Sequence, residues 1–125
     1  MPWHSFEQQI FLRLKPKYCN QYYKDLSANS ITELSDFENL LSLRVLNLSS
    51  NLIEAIPSGS DHLKYLISLE DLNLSYNLIK NVAGLSQLGS KNHKIRRLQL
   101  HGNDIKHPND LANALRYSKN CHTKI

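Results

Sequence analysis

The chain has 125 residues, with 15 Lys and Arg against 11 Asp and Glu, and 41% of its residues are hydrophobic. This length fits one small domain of ordinary soluble composition. The apolar runs are too short for a membrane-spanning helix, and the two cysteines, Cys19 and Cys121, exclude a scaffold of several disulfides. The opening segment, MPWHSFEQQIFLRLKPKYC, lacks the layout of a secretory signal, so we expect a cytoplasmic location with reduced cysteines.

The first predicted element is residues 1–22, an irregular segment or a capping helix. Phe6, Ile10 and Leu14 follow one another at helical spacing, and Ser5 is a suitable N-cap. Such a helix would cover the open end of the first coil of a repeat domain, whose core and backbone would otherwise be exposed.

A repeat follows over residues 23–112. Its asparagines, Asn29, Asn51, Asn77 and Asn103, recur at nearly constant spacing along the chain. Three near-complete copies of L-x-x-L-x-L-x-x-N-x-I read LRVLNLSSNLI, LEDLNLSYNLI and IRRLQLHGNDI, and the first repeat, which has Lys24 at a core position, is degenerate.

The L-x-L spacing predicts a short strand with one face buried. The asparagine after each strand is predicted to be buried, with its amide bonded to the backbone of adjacent coils. Each coil has room for the strand and a short helical return, which parallel strands require. We therefore predict about four stacked coils with a parallel sheet.

These copies resemble the leucine-rich-repeat family, particularly its short intracellular repeats of 22-residue type. The resemblance implies an α/β right-handed solenoid, with a parallel sheet on the concave face and 3₁₀ or short α segments on the convex face. A polar insert ending in His-Lys, followed by a basic pair before LQLHGNDI, resembles the last repeats of the leucine-rich repeat and coiled-coil centrosomal protein family. That family's long coiled coil has no counterpart in this sequence.

The last element, residues 113–125, is predicted to be a helical end or a tail. It belongs to a basic region, because residues 91–125 contain eight Lys and Arg against two Asp and Glu. A basic region fits an acidic protein surface, a nucleic acid or an anionic membrane, and charge alone does not choose among them.

No catalytic motif is present: there is no P-loop, GxGxxG, HExxH or GxSxG. The histidines and cysteines lack the spacing of metal ligands. We therefore expect no enzyme activity, no cofactor and no metal.

The outward strand positions should line up as rows across the sheet, because parallel strands keep register. One interpretation is self-pairing, with Glu70 between Arg44 and Arg96, and Asp71 beside Arg97. The other is a polar surface for a protein partner, with aromatic residues and arginines as anchors. The candidate partner-binding residues are Arg44, Asn47, Glu70, Asp71, Asn73, Tyr76, Arg96, Arg97, Gln99 and His101.

These patterns predict a monomeric, non-catalytic module that binds another protein. Nucleic acid is disfavoured because the predicted face is not uniformly basic. The resemblance implies a scaffold at the centrosome or the cilium base that acts in centriole or microtubule organisation. Two alternatives stay open: a regulatory subunit that docks a protein phosphatase, and an RNA–protein assembly factor.

Overall fold

A computed structural model gives the fold. It describes residues 21–34, 37, 40–56, 63–88, 93–107, 109, 111–112 and 121–125. The strands are β1 (Tyr23–Asp25), β2 (Val45–Asn47), β3 (Asp71–Asn73), β4 (Arg97–Gln99) and β5 (His122–Lys124). The described residues also include the 3₁₀ helices Leu63–Tyr65 and Ala83–Leu88, which lie in the returns after β2 and β3.

The strands form one parallel sheet in the order β1-β2-β3-β4-β5. Their central residues pair in one row, which faces the core in β1 to β4 and consists of Lys24, Leu46, Leu72, Leu98 and Thr123. This register confirms the predicted alignment of the repeats. The predicted solenoid of parallel strands and short 3₁₀ returns is likewise confirmed.

The core is a stack of leucine and isoleucine side chains between the sheet and the returns. Leu46, Leu72 and Leu98 are 0% exposed. Leu63 and Leu85, from the two 3₁₀ helices, belong to the same buried cluster. Burial of each such side chain contributes about 1.5–3 kcal/mol, so this repeated apolar spacing is the main source of stability.

The asparagines form a hydrogen-bonded ladder beside this core. Asn77 Nδ2 donates to the carbonyl of Leu74 in its own coil at 3.0 Å and to that of Leu48 in the preceding coil at 3.0 Å. Its Oδ1 accepts from the amide of Ile53 at 3.1 Å. Asn51 and Asn77 are each only 4% exposed, which confirms their predicted burial, whereas Asn29 and Asn103, in the first and fourth coils, are half-buried.

The same bonds recur at each step of the ladder. Asn51 links its coil to Leu26 O and Ile31 N, and Asn103 links the fourth coil to Leu74 O and Ile79 N. The carbonyls of Leu26, Leu48 and Leu74 therefore each accept hydrogen bonds from two asparagines, one in the same coil and one in the next.

The residue before each of these asparagines has a left-handed backbone. Ala28, Ser50 and Tyr76 have φ values of 56°, 58° and 56°, and Gly102 has 76°. For a residue with a side chain, this conformation costs about 1–2 kcal/mol. The chain reverses at the strand end through this residue, and the cost is offset by the asparagine bonds that the reversal makes possible.

Strand β5 differs from the sequence-based expectation for residues 113–125. A helical end or tail was predicted there, whereas His122–Lys124 pairs with Arg97–Gln99. The amide of His122 donates to Arg96 O at 2.7 Å, and Leu100 N donates to Lys124 O at 2.7 Å. The predicted helix of residues 1–22 falls mostly on residues 1–20, which lie outside the described residues, and the domain boundaries stay predictions.

Candidate functional site

The outward positions of the strands form the surface that we call the strand face. The register aligns two rows of side chains across it. The first row is Tyr23, Val45, Asp71, Arg97 and His122, and the second is Asp25, Asn47, Asn73, Gln99 and Lys124. These rows contain five of the ten sequence-predicted site residues, namely Asn47, Asp71, Asn73, Arg97 and Gln99. Arg44, Glu70 and Arg96, which directly precede β2, β3 and β4, also belong to the strand face.

Three ion pairs cross this face. Arg44 Nε donates to Glu70 Oε2 at 2.7 Å, whereas Arg96 lies 3.8 Å from the other oxygen of Glu70. Arg97 lies 3.7 Å from Asp71. The self-pairing that the sequence suggested is therefore present, but only the Arg44–Glu70 pair has the short distance of a charge-assisted hydrogen bond.

The two carboxyl groups respond differently to their surroundings. The hydrogen bond from Arg44 holds the pKa of Glu70 below its ordinary value, although partial burial acts in the opposite direction. Burial raises the pKa of Asp71, and the charge of Arg97 only partly offsets this.

Asn47 and Asn73 have a local structural role in addition to any contact with a partner. Each Oδ1 accepts from the amide and the hydroxyl of the serine two residues later, which is Ser49 or Ser75. Such turns hold the strand ends in place. β4 has Gln99 and His101 at the corresponding positions.

Tyr76 and His101 make an aromatic contact beyond the ends of β3 and β4. Their ring centroids are 5.1 Å apart, with an angle of 85° between the planes. The Tyr76 ring also covers Gly102, where an added Cβ would overlap it. His101 Nδ1 is buried and has no hydrogen-bond partner among the described residues. Tyr76 remains 60% exposed and is available to a partner.

The strand face contains a shallow depression of about 480 Å³. Its lining residues are Tyr22, Tyr23, Arg44, Val45, Glu70, Asp71, Arg96 and Arg97. Five of these, Arg44, Glu70, Asp71, Arg96 and Arg97, are sequence-predicted site residues, whereas Tyr22, Tyr23 and Val45 are not among them. His122, beside Arg97, was missed, and the signal that could have found it is its separation from Arg97, which is close to the repeat spacing.

Outside the strand face, the described residues show no arrangement for metal chemistry. In the described part of the chain, no three His, Cys, Asp or Glu side chains gather as metal ligands would. Burial lowers the pKa of His93, whose Nε2 bonds with the carbonyl of Lys64 at 3.2 Å, and burial raises the pKa of the Cys121 thiol. These two side chains are explained by packing.

Comparisons with known proteins find the same repeat. The sequence model of the Leucine Rich Repeat family matches residues 42–63, which contain β2 and its return. Residues 42–63 are therefore a leucine-rich repeat, and the parallel sheet with short 3₁₀ returns has the fold of a leucine-rich-repeat solenoid. A solved leucine-rich-repeat protein of Leptospira interrogans is similar to it, with 22% identity and a TM-score of 0.47 over 83% of this chain and 30% of that one.

The chain thus spans less than a third of that protein's length. No curated protein sequence matches this chain. The described residues include no helix long and apolar enough to cross a membrane. A leucine-rich-repeat sheet generally serves protein–protein interaction, and the repeat fold is typical of modules without catalysis.

Proposed function

We propose that this leucine-rich-repeat chain is a non-catalytic module that binds a protein partner on its strand face. The observation that carries the proposal is the depression across β1 to β4, which places tyrosines and arginines together at the surface. The side chains of Arg96 and Arg97 are 74% and 66% exposed. Tyrosine and arginine are enriched among the residues that dominate binding energy at protein interfaces.

The proposed setting is a cytoplasmic scaffold at the centrosome or cilium base, where the module, as a monomer, positions a partner for centriole or microtubule organisation. This setting comes from the resemblance of the fourth repeat and its insert to the centrosomal family. The presence of Glu70 and Asp71 among the arginines disfavours RNA, because carboxylates repel the phosphates that a nucleic-acid surface must hold. A phosphatase-docking role is the remaining alternative.

Proximity labelling in ciliated cells tests this proposal. The test variant carries Arg44→Gln, Arg96→Gln and Arg97→Gln. The control variant carries the same number of charge losses away from the strand face, at Lys64, Lys80 and Lys106. We expect wild type and the control to label centriolar proteins and the test variant to lose them.

Two results would refute the proposal. If phosphatase subunits replace centriolar proteins as the labelled set, the proposed setting is wrong. If both variants label the same proteins as the wild type, the strand face is not the binding surface. Thermal unfolding of the three purified proteins shows whether the variants remain folded.

A further inference from the structure

The two ends of the depression differ in chemistry. At the β1 and β2 end, the lining includes Tyr22, Tyr23 and Val45, of which Tyr22 is 51% exposed. Arg44 also lines this end, but its guanidinium is paired with Glu70 at 2.7 Å. At the β4 end, the lining consists of Arg96 and Arg97. One end is thus suited to an apolar side chain and the other to an anion.

The positive end has more cations than the adjacent carboxylates neutralise. Glu70 is shared between Arg44 at 2.7 Å and Arg96 at 3.8 Å, so its main partner is Arg44. Beyond Arg97, the register adds His122 and Lys124. The described segments 93–99 and 121–125 contain no acidic residue. An incoming carboxylate would therefore meet a net positive surface.

The spacing of the two ends fits an extended peptide that crosses the strands. Adjacent strands lie about 4.8 Å apart, so the three steps from β1 to β4 span about 14 Å. An extended chain rises about 3.3–3.4 Å per residue, so about four residues cover that distance. Side chains alternate faces along an extended chain, so residues four apart both point at the sheet.

From this we infer that the strand face recognises an extended segment of a partner protein with an apolar residue and an acidic residue four positions apart. The apolar side chain lies against Tyr22 and Tyr23, and the carboxylate bonds to Arg96 and Arg97. This inference rests on the proposed function and specifies the chemistry of the partner. The charge at β4 and β5 favours an acidic segment as the occupant of this surface.

Titration of the isotope-labelled chain with synthetic peptides, followed by amide NMR shifts, tests the inference. Each ten-residue peptide carries one leucine and one glutamate in a background of serine, with a spacing of three, four or five, and in both orders. We expect a spacing of four to bind at least about fivefold more tightly than three or five, because an odd spacing turns one side chain away. The shifts should centre on Tyr23 and Arg97.

Charge and contact variants provide the matched controls. A lysine in place of the peptide's glutamate should abolish binding. Arg96→Gln with Arg97→Gln should remove the preference for glutamate over glutamine, whereas Lys80→Gln with Lys106→Gln should leave it unchanged. Asp71→Asn should strengthen binding about two- to fivefold, because it removes the carboxylate that competes for Arg97.

Any of three results would overturn the inference. They are an affinity that does not depend on the spacing, equal binding of the lysine and glutamate peptides, and displacement of the glutamate peptide by oligouridylate at equal charge. These outcomes are separable from a failure of the proposed function. If the peptides fail while the triple arginine variant still loses its labelled proteins in cells, protein binding on the strand face stands and only the acidic motif is wrong.

Discussion

Replacement of Asn77 by alanine should destabilise the chain more than the same change at Asn29. Asn77→Ala leaves the buried amide of Ile53 without its acceptor and removes one donor each from Leu48 O and Leu74 O. The two carbonyls keep Asn51 and Asn103 as donors, so only the amide is fully orphaned.

The magnitude follows from these bonds. An orphaned buried amide costs about 1–3 kcal/mol, and each lost carbonyl bond about 0.5–1.5 kcal/mol. Because such losses are not strictly additive, we expect the free energy of unfolding to fall by about 2–5 kcal/mol. Among the described residues, Asn29, the first in the ladder, bonds to Leu26 O and Ser27 O and to no amide of another coil, so Asn29→Ala should cost about 1–3 kcal/mol.

Urea denaturation followed by circular dichroism measures both values. We expect the midpoint to fall for Asn77→Ala with an unchanged denaturant slope, because the native fold is kept. Asn77→Asp should cost at least as much as Asn77→Ala at neutral pH, since an oxygen would then face the two carbonyls. Equal losses at Asn29 and Asn77, or a loss at Asn77 below about 1 kcal/mol, would refute the ladder as a source of stability.

Three further changes test other parts of the fold. Leu72→Ala, at the centre of the buried row, should lower the free energy of unfolding by about 3–5 kcal/mol in urea, because it opens a cavity that the sheet cannot close. Gly102→Ala should cost about 1–3 kcal/mol, because alanine disfavours the positive φ and its Cβ meets the Tyr76 ring. Adding Tyr76→Ala should recover part of that loss, and full additivity would argue against the contact. Asp71→Asn should raise the free energy of unfolding at neutral pH, because the folded state holds this carboxyl at a raised pKa. The folded state binds the proton on Asp71 more tightly than the unfolded chain, so the difference in stability between the variant and the wild type should shrink as the pH falls to about 4. Thermal melts from pH 7 to pH 3 measure this difference, and a difference that stays constant would contradict the prediction.

The repeat pattern was sufficient to predict the inside of the molecule. The alternating leucines predict which residues form the buried row. A buried asparagine at a fixed position after each strand has few hydrogen-bond partners other than the backbone of neighbouring coils. The same register predicts the outward rows, and therefore the sequence alone predicts the ion pairs that Arg44, Glu70 and Arg97 make.

The repeat pattern does not predict three other features of the structure. The strand His122–Lys124 lacks the L-x-L motif, because its central residue is Thr123, so the leucine periodicity does not predict it. The left-handed position carries alanine, serine and tyrosine as well as glycine, and only Gly102 signals it in the sequence. The depression depends on Tyr22 and Tyr23, whose degenerate repeat gave no reason to rank them above other exposed residues.

The shared carbonyls of the asparagine ladder also bear on how such a chain lengthens. Leu48 O and Leu74 O are bonded in the same way, so an in-frame tandem duplication of the segment from Leu52 to Asn77 would add a step with the bonds of its neighbours. The ladder itself thus sets no upper number of coils. The interior steps of the ladder can therefore be copied with their bonding pattern unchanged.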